Sequence, residues 1–471
     1  MTYPEAINYL ESFINYEKIF RYVYIKSFKL ERIKYFLKSI GNPQDCLHVI
    51  HVAGSKGKGS TCAFIAYILR EAGYKVGLYT SPHLSDFRER IRILNPHQSV
   101  IARTASQRRS RTKQSQNKIV SSFLLRFARR RARNDDGRPS YTMISRDFEG
   151  MISKKEFVNL VEQLKPAINR FNKHSKYGPL SFFEVYTALA LYYFSKKKTD
   201  FVVLETGLGG RLDATNVVNP LLSVITSISY EHTDKLGHTL TKIAAEKAGI
   251  IKSQTVICAP QKKEAIKVIK DRCDKIGAKL IYVKKPDSKL KINLLGKHQL
   301  INATVAKRTV EALRDIGYKI GVDKIKSGLY DTVWPGRCEI ISYNPTVVLD
   351  GAHNLASSQI LAETIKNKFS YNQLILVLGI SNDKDIQGIC RVICPLADKI
   401  ILTKANSPRA ALVRNIEKEI PTKIKEKREN IFYTQNVKEA KKKVLSMANK
   451  NDLVLVTGSL FVVGEFRNGK T

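Results

Sequence analysis

The stretch GSKGKGS, at residues 54–60, constrains the fold of this chain more than any other feature. It follows a β-branched run at 48–53 and precedes a helical pattern at 61–72. A glycine-rich turn between a strand and a helix lets backbone N–H groups surround phosphate oxygens, and the helix N-terminus adds its positive end. Lys58 can reach a terminal phosphate, and Ser60 can touch the nucleotide or its metal. The sequence therefore predicts a phosphate-binding loop, although GSKGKGS departs from the strict P-loop pattern.

The rest of the chain repeats this alternation of strand and helix. Short apolar runs that end at glycine or a polar turn predict buried parallel strands. They lie at 76–79, 201–205, 221–227, 255–259, 346–350, 374–378, 399–402 and 452–456, and helical stretches at 182–194, 243–250 and 355–368 lie between them. Such alternation predicts open α/β sheets with right-handed crossovers, and ligands at the carboxyl ends of the strands.

Two sheets are expected, because a helical region gives way to a new strand at 338–342 just after Trp334-Pro335-Gly336. We predict an N-terminal domain of residues 1–334 with a parallel sheet like that of P-loop ATPases. A Rossmann-like C-terminal domain follows at 335–471. A length of 471 residues suits this organisation.

The charge and the cysteines limit the classes of protein. Lys and Arg number 80 against 42 Asp and Glu, a net charge of +38. The lysines are spread along many helices, which is typical of solvated faces, and no nucleic-acid-binding motif accompanies them. No apolar run approaches the roughly 18 residues of a membrane span, and the start does not resemble a signal peptide. Seven scattered cysteines predict a reducing cytoplasm, with Cys390 and Cys394 as buried thiols and no zinc site.

Polar groups follow several predicted strands at one sheet edge. Glu205 ends a strand and opens LETGLGGRLDATN at 204–216, and His232 lies in SYEHTDKLGHT after the next strand. A carboxylate there is costly unless it is paired or metal-bound, so these residues indicate a hard-cation site. GKHQLINATVA at 296–306, WPGRCE and VVLDGAHN at 347–354 are equally compatible with ordinary turns and with contacts to a ligand held between two domains.

Together with YTSPHL, FRERIRI and EKAGIIK, these motifs resemble the folylpolyglutamate synthase family, and in particular its bifunctional bacterial members that also act as dihydrofolate synthases. The family belongs to the Mur-ligase superfamily of ATP-dependent ligases that form amide bonds. The resemblance covers residues 1–95 and 148–471. In the family pattern GTNGKG[ST], this chain replaces Thr and Asn with Ser55 and Lys56.

The resemblance implies ATP, two magnesium ions and a set of site residues. Those that would hold ATP are Gly54, Gly57, Lys58, Gly59, Ser60, Asn302, Arg337 and Asp350. Those that would ligate magnesium are Ser81, Glu205, His232 and Lys247, the last as a carbamate. Those that would line a dihydropteroate pocket are Phe28, Ser181, Phe182, Phe183 and Asp213. His353 would lie near the glutamate and the acyl phosphate, and Lys58, Lys247 and His353 would be catalytic.

The implied activity joins L-glutamate to dihydropteroate and to reduced folates through an acyl phosphate, in a cytoplasmic monomer without membrane or nucleic-acid partners. A carboxylate must first gain a good leaving group, which ATP supplies, and domain closure then brings in the amine. One alternative is a degenerate or repurposed folate ligase whose basic insert binds nucleic acid. A ligase of the cell-wall peptide branch is disfavoured, because that branch lacks the GLGGRLDATN and LDGAHN forms.

One segment interrupts the resemblance. Residues 96–150 contain 11 Arg and only 2 Lys, whereas Lys predominates elsewhere, and they show no sustained helical or strand period. We predict that residues 96–149 form a disordered insert looped out of the N-terminal domain. Three interpretations compete: an acquired surface loop, a segment that binds nucleic acid or an acidic partner, and an insertion that disables the enzyme.

Overall fold

The computed structural model describes residues 1–19, 22–96, 148–426 and 428–469. The predicted insert therefore lies outside the described residues, except at its ends. Phe148 and Glu149, which we assigned to the insert, belong to the packed domain: Phe148 is buried, and Glu149 forms an ion pair with Arg70. Charge composition alone placed the end of the insert two residues too late.

The first domain is built on a seven-stranded sheet with the order β3-β2-β4-β1-β5-β6-β7. Its strands are β1 Val49–Ala53, β2 Val76–Tyr79, β3 Ile91–Leu94, β4 Phe201–Glu205, β5 Leu222–Ile225, β6 Thr255–Cys258 and β7 Lys279–Tyr282. All neighbouring strands are parallel except β2 and β3.

Helices cover both faces of this sheet. They are α1 Tyr3–Glu11, α2 Tyr24–Ser27, α3 Leu30–Ser39, α4 Lys58–Glu71, α5 Lys154–His174, α6 Phe182–Lys196, α7 Thr233–Leu236, α8 Leu240–Ala248, α9 Lys263–Ile276, α10 Lys297–Asp315 and α11 Val322–Asp331, with 3₁₀ turns at Phe87–Arg90 and Ala214–Val217. Alternate side chains of a strand point to opposite faces. Accordingly, Ile50 packs in a core with α4, whereas Val49 packs in a second core with α6.

The second domain has a six-stranded sheet with the order β12-β11-β10-β13-β9-β8. Its strands are β8 Glu339–Tyr343, β9 Thr346–Leu349, β10 Leu374–Leu378, β11 Lys399–Leu402, β12 Ile431–Tyr433 and β13 Leu453–Thr457, and only the pair β8–β9 is antiparallel. Its helices are α12 Leu355–Lys368, α13 Ile386–Ile393, α14 Val413–Lys418, α15 Thr422–Lys425, α16 Val437–Met447 and α17 Leu460–Asn468, with 3₁₀ turns at Cys394–Leu396 and Arg428–Asn430. The predicted two-domain α/β fold is confirmed.

Three strands escaped the sequence analysis. β3 was hidden by its arginines: Arg92 is buried beside Phe148 and Trp334, and Arg90 just before it pairs with Glu17. β7 and β12 lie at sheet edges, where the half-exposed surface weakens the hydrophobic pattern. Among the described residues, no helix is both long and apolar enough to span a bilayer.

Candidate active site

The phosphate loop joins β1 to α4 in a path that only glycine can follow at two positions. Gly54 and Gly57 have φ angles of +152° and +82°. A Cβ atom on Gly54 would lie 1.8 Å from Thr226 Oγ1, and one on Gly57 would lie 2.2 Å from Asn302 Oδ1. The predicted residues Gly59 and Ser60 lie in the first turn of α4, and the free N–H groups of that turn suit an anion.

Asn302 approaches the loop from α10, as the sequence motif predicted for a nucleotide contact. It is buried, and its Nδ2 donates to Gln299 Oε1 at 2.9 Å. This bond fixes the amide against Gly57. Asn302 therefore packs directly against the phosphate loop at Gly57, and its contact with a nucleotide stays a prediction.

Two lysines share one carbonyl oxygen of the loop. Lys58 Nζ and Lys247 Nζ donate to Gly54 O at 3.1 and 2.8 Å. Lys247 comes from α8, is buried, and also forms an ion pair with Glu231 at 2.8 Å. Burial lowers the pKa of Lys247 to about 8, although Glu231 opposes the shift. The tertiary structure thus brings a helix lysine of unremarkable sequence to the phosphate loop.

Glu231 is a site residue that the sequence analysis missed. Burial is the largest single influence and acts to raise its pKa, but the charges of Lys247 and Lys58 and the hydrogen bond from Lys247 together outweigh burial and lower that pKa to about 2. The carboxylate is therefore ionised at neutral pH. Its position directly before His232 was the available signal, because both follow β5 at the edge that carries the phosphate loop.

Glu205 and Ser81 meet at the ends of β4 and β2. The Ser81 backbone N–H donates to Glu205 Oε2 at 3.0 Å. Burial raises the pKa of Glu205, while the charge of Lys58 and, from the second domain, that of Arg337 act in the opposite direction. The carboxylate predicted from its position after an apolar strand is therefore close enough to both domains to sense their cations.

His232 directly precedes α7 and has a φ of +46°, a strained conformation for a residue with a side chain. Burial lowers its pKa to about 4, so the imidazole is neutral near pH 7. Across the described residues, however, no three His, Cys, Asp or Glu side chains are grouped to hold a metal ion. Of the four predicted magnesium ligands, Ser81 and Glu205 are in contact, and Lys247 lies against the phosphate loop.

The second domain contributes Asp350 and His353 from the end of β9. Asp350 accepts the N–H groups of Cys338 and Ala352, both at 2.8 Å, and burial raises its pKa. His353 Nδ1 lies 2.8 Å from Gly351 O, which leaves Nε2 as the acceptor of the ring. Burial lowers the pKa of His353 to about 4. The charge of Arg337 acts to lower the pKa of both side chains, and their contact with a ligand stays a prediction.

Three of the predicted pterin residues line one cavity. Phe28, Ser181 and Phe183 border it together with Lys29, Arg32, Glu184 and Leu212, among others. Phe182 points away into the hydrophobic core, because neighbouring helix positions face different sides. The Ser181 hydroxyl caps α6 and donates to Glu184 Oε2 at 2.7 Å, so it has a structural role there.

Asp213 is fully buried inside its own loop. Its carboxylate accepts Leu208 N at 2.8 Å, Thr215 N at 3.0 Å and Thr215 Oγ1 at 2.5 Å. These bonds shape the turn GLGGRLDATN. Burial raises the pKa of Asp213, and the hydrogen bonds counter that effect. A contact between Asp213 and a pterin stays a prediction, because the chain itself supplies the partners of this carboxylate.

Comparisons with known families agree with this arrangement. Residues 336–460 match the Mur ligase, glutamate ligase domain, and residues 180–283 match the Mur ligase middle domain. The two matches fall on the second domain and on the central part of the first.

Individual relatives extend the likeness to the whole chain. The dihydrofolate synthase/folylpolyglutamate synthase of Bacillus subtilis is 32% identical, over 93% of this chain and 94% of its own length. The folylpolyglutamate synthase of Mycobacterium tuberculosis in complex with ADP has a TM-score of 0.77 and 26% identity, over 100% of this chain and 98% of that one. Escherichia coli FolC in complex with DHPP and ADP has a TM-score of 0.73 and 26% identity, over 99% and 96%.

Proposed function

The chain belongs to the dihydrofolate synthase/folylpolyglutamate synthase family of Mur ligases, and from this premise we propose which of its residues perform the reaction and on which substrates. As a member of this family it is an ATP-dependent ligase that adds glutamate to folates. The residue roles and the range of substrates are the proposal.

We propose that both dihydropteroate and reduced folates accept L-glutamate here. The B. subtilis relative carries both activities in its name, and the E. coli neighbour was solved with DHPP. The rings of Phe28 and Phe183 offer stacking surfaces for an aromatic ligand, but the cavity beside them is small and would have to widen to admit a pterin. Asp213 would act on the pterin through the shape of its loop, because its oxygens already accept hydrogen bonds.

The first step forms an acyl phosphate: a carboxylate oxygen of the folate attacks the terminal phosphorus of ATP, and ADP leaves. The phosphate loop and Lys58 would neutralise the charge of the transferred group. The observation that carries this assignment is the shared Gly54 carbonyl, which holds Lys58 and Lys247 on one side of the loop. Asn302, Arg337 and Asp350 would hold the rest of the nucleotide.

In the second step the neutral amine of glutamate attacks the acyl carbon, phosphate leaves, and the proton that the amine loses passes to the departing phosphate. His353 would orient the amine, because its neutral ring keeps Nε2 as a hydrogen-bond acceptor while Nδ1 faces Gly351 O. With a pKa of about 4, the ring is a weak base at neutral pH, so its role is positioning rather than storing a proton.

Magnesium would neutralise phosphate charge when bound, and the residues fit it in part. Glu205 suits it, because the buried carboxylate forms no ion pair within the described part of the chain and accepts a hydrogen bond from the Ser81 backbone N–H. His232 is neutral and can ligate. Lys247 fits only as a carbamate, since its ammonium is paired with Glu231.

The test measures phosphate release by purified protein with ATP and either dihydropteroate or tetrahydrofolate, each with and without L-glutamate. We expect glutamate-dependent release with both. If glutamate-dependent release occurs with tetrahydrofolate but not with dihydropteroate, the chain has no dihydrofolate synthase activity. If it occurs with neither substrate, the assignment for this chain is refuted. Gel filtration of the same sample tests the predicted monomer. The comparisons give the nucleic-acid alternative no support.

A further inference from the structure

Lys56 occupies the tip of the phosphate loop, one residue before Gly57. Its backbone is held in place, since Ser55 N and Lys56 N donate to Ser227 O at 2.9 and 3.0 Å. The Ser55 hydroxyl donates to Ser229 O at 3.0 Å. The loop is therefore tied to the segment that follows β5, and this anchoring fixes the backbone of Lys56.

The Lys56 ammonium has no hydrogen-bond or ion-pair partner among the residues that the structure describes, although its side chain is only half exposed. Burial is the main influence on this group and lowers its pKa. Withdrawing a lysine from water costs free energy unless an anion compensates. A lysine in this position is therefore suited to an anionic partner supplied from outside the chain.

The charges around Lys56 also favour an anionic ligand. Glu231 attracts it, whereas Lys58, Lys384 and Arg337 repel it. Glu231 is already engaged by Lys247 at 2.8 Å. The loop tip thus faces an excess of cations from both domains, which a polyanionic ligand would balance.

We propose that Lys56 is a second cation of the phosphate loop, which contacts the terminal phosphoryl group of ATP from the side of the second domain and stays with that group as it becomes the acyl phosphate. The proposal rests on the proposed function. Lys58 is the first residue of α4, and its ammonium donates to the carbonyl of Gly54 in the loop. The Lys56 ammonium is close enough to Lys384 and Arg337 for their charges to lower its pKa, and those two residues belong to the domain that matches the glutamate ligase family.

The distinguishing measurement compares two nucleotides that differ in the terminal phosphate. Titration calorimetry gives the affinity for ADP and for the non-hydrolysable analogue AMPPCP, each with magnesium. In Lys56→Asn, which restores the residue of the family pattern, we expect AMPPCP to bind at least about 10-fold more weakly, while ADP affinity stays within about twofold. Lys56→Arg should keep most of the AMPPCP affinity. Lys285→Asn makes the same charge change at an exposed loop position and should alter neither.

Turnover completes the test. Lys56→Asn should lower kcat by about 10-fold or more, with the KM for glutamate little changed. Equal losses for ADP and AMPPCP would overturn the proposal in favour of a general effect on the loop, and unchanged AMPPCP affinity would overturn it outright. Because the nucleotide measurement needs no folate, its result is independent of whether the unaltered protein glutamylates folates, so the two failures are distinguishable.

Discussion

Phe148 lies edge-on against Trp334, with ring centroids 6.4 Å apart and ring planes at 88°. Phe148 follows the insert, and Trp334 lies between the two domains and 3.1 Å from the position of a Cβ atom on Gly59. Arg92 and Arg467 place their guanidinium groups over the Phe148 ring at 5.4 and 5.5 Å. The chain therefore leaves the insert directly into a contact between the two domains.

This contact predicts different results for two shortened chains. Replacing residues 97–147 with Gly-Ser-Gly-Ser should keep kcat within about threefold, because a shorter loop costs less entropy to close. Making the same replacement for 96–149 also removes Phe148 and the Glu149 partner of Arg70, and should lower the free energy of unfolding by about 3 kcal/mol or more. Urea unfolding measures the stability of each variant, and phosphate release measures its kcat. Equal behaviour of the two variants would show that Phe148 is dispensable, and an inactive first variant would place the insert in the active site.

Loss of the proposed charge-stabilising groups should slow turnover without unfolding the protein. Lys58→Ala and Glu205→Ala are each expected to reduce kcat at least about 100-fold, since preorganised charges act directly on the transferred phosphoryl group. Circular dichroism checks the fold. The exposed pair Lys263→Ala and Glu264→Ala at the start of α9 serves as the matched control. Folded variants with near-normal rates would remove Lys58 and Glu205 from the mechanism.

Lys247 should act as a carbamate. A lysine with a pKa of about 8 has a larger neutral fraction at pH 8 than an ordinary lysine, and the neutral amine is the form that reacts with CO₂. Native mass spectrometry should detect one added CO₂. Lys247→Ala should be nearly inactive, and acetate should partly restore it, whereas Lys242→Ala on the exposed side of α8 should be unaffected. Full activity of Lys247→Ala would discard the metal-ligand role.

Acid should destabilise the first domain through His51. This residue lies fully buried in β1, with Nε2 2.8 Å from Thr215 Oγ1, and burial, with a smaller effect from Lys252, lowers its pKa to about 3. Between this value and the unfolded pKa near 6.5, only the unfolded chain binds a proton at this site. The stability contributed by neutral His51 is therefore complete above about pH 6.5 and is lost as pH falls toward 3.

Urea unfolding at pH 4.5, 5.5 and 6.5 measures this dependence. Relative to His51→Asn, the unaltered protein should lose about 1.4 kcal/mol more per pH unit, the equivalent of one proton. His174→Asn, which changes an exposed histidine, should leave the slope as it is. Identical slopes for the unaltered protein and His51→Asn would mean that His51 titrates normally in the folded state.

The sequence by itself determined the architecture and the kind of site. Strands at 76–79, 201–205, 374–378 and 399–402 and the helix at 355–368 have the predicted bounds. Burial imposes a local period on apolar residues, and glycine turns between strand and helix are equally local signals, so both can be recognised in one dimension. The position of Glu205 directly after an apolar strand is also a local signal, so it indicated a site residue from the sequence alone.

Only the tertiary structure decided which side chains meet. It paired Lys247 with Glu231 across 16 positions and brought Lys247 to the carbonyl of Gly54, 193 positions away. It turned Phe183 toward the cavity and Phe182 into the core, closed the Asp213 carboxylate within its own loop, and placed Phe148 between the domains. These outcomes depend on burial and hydrogen bonding among residues that are distant in sequence, and no local period encodes the course of the chain that brings them together.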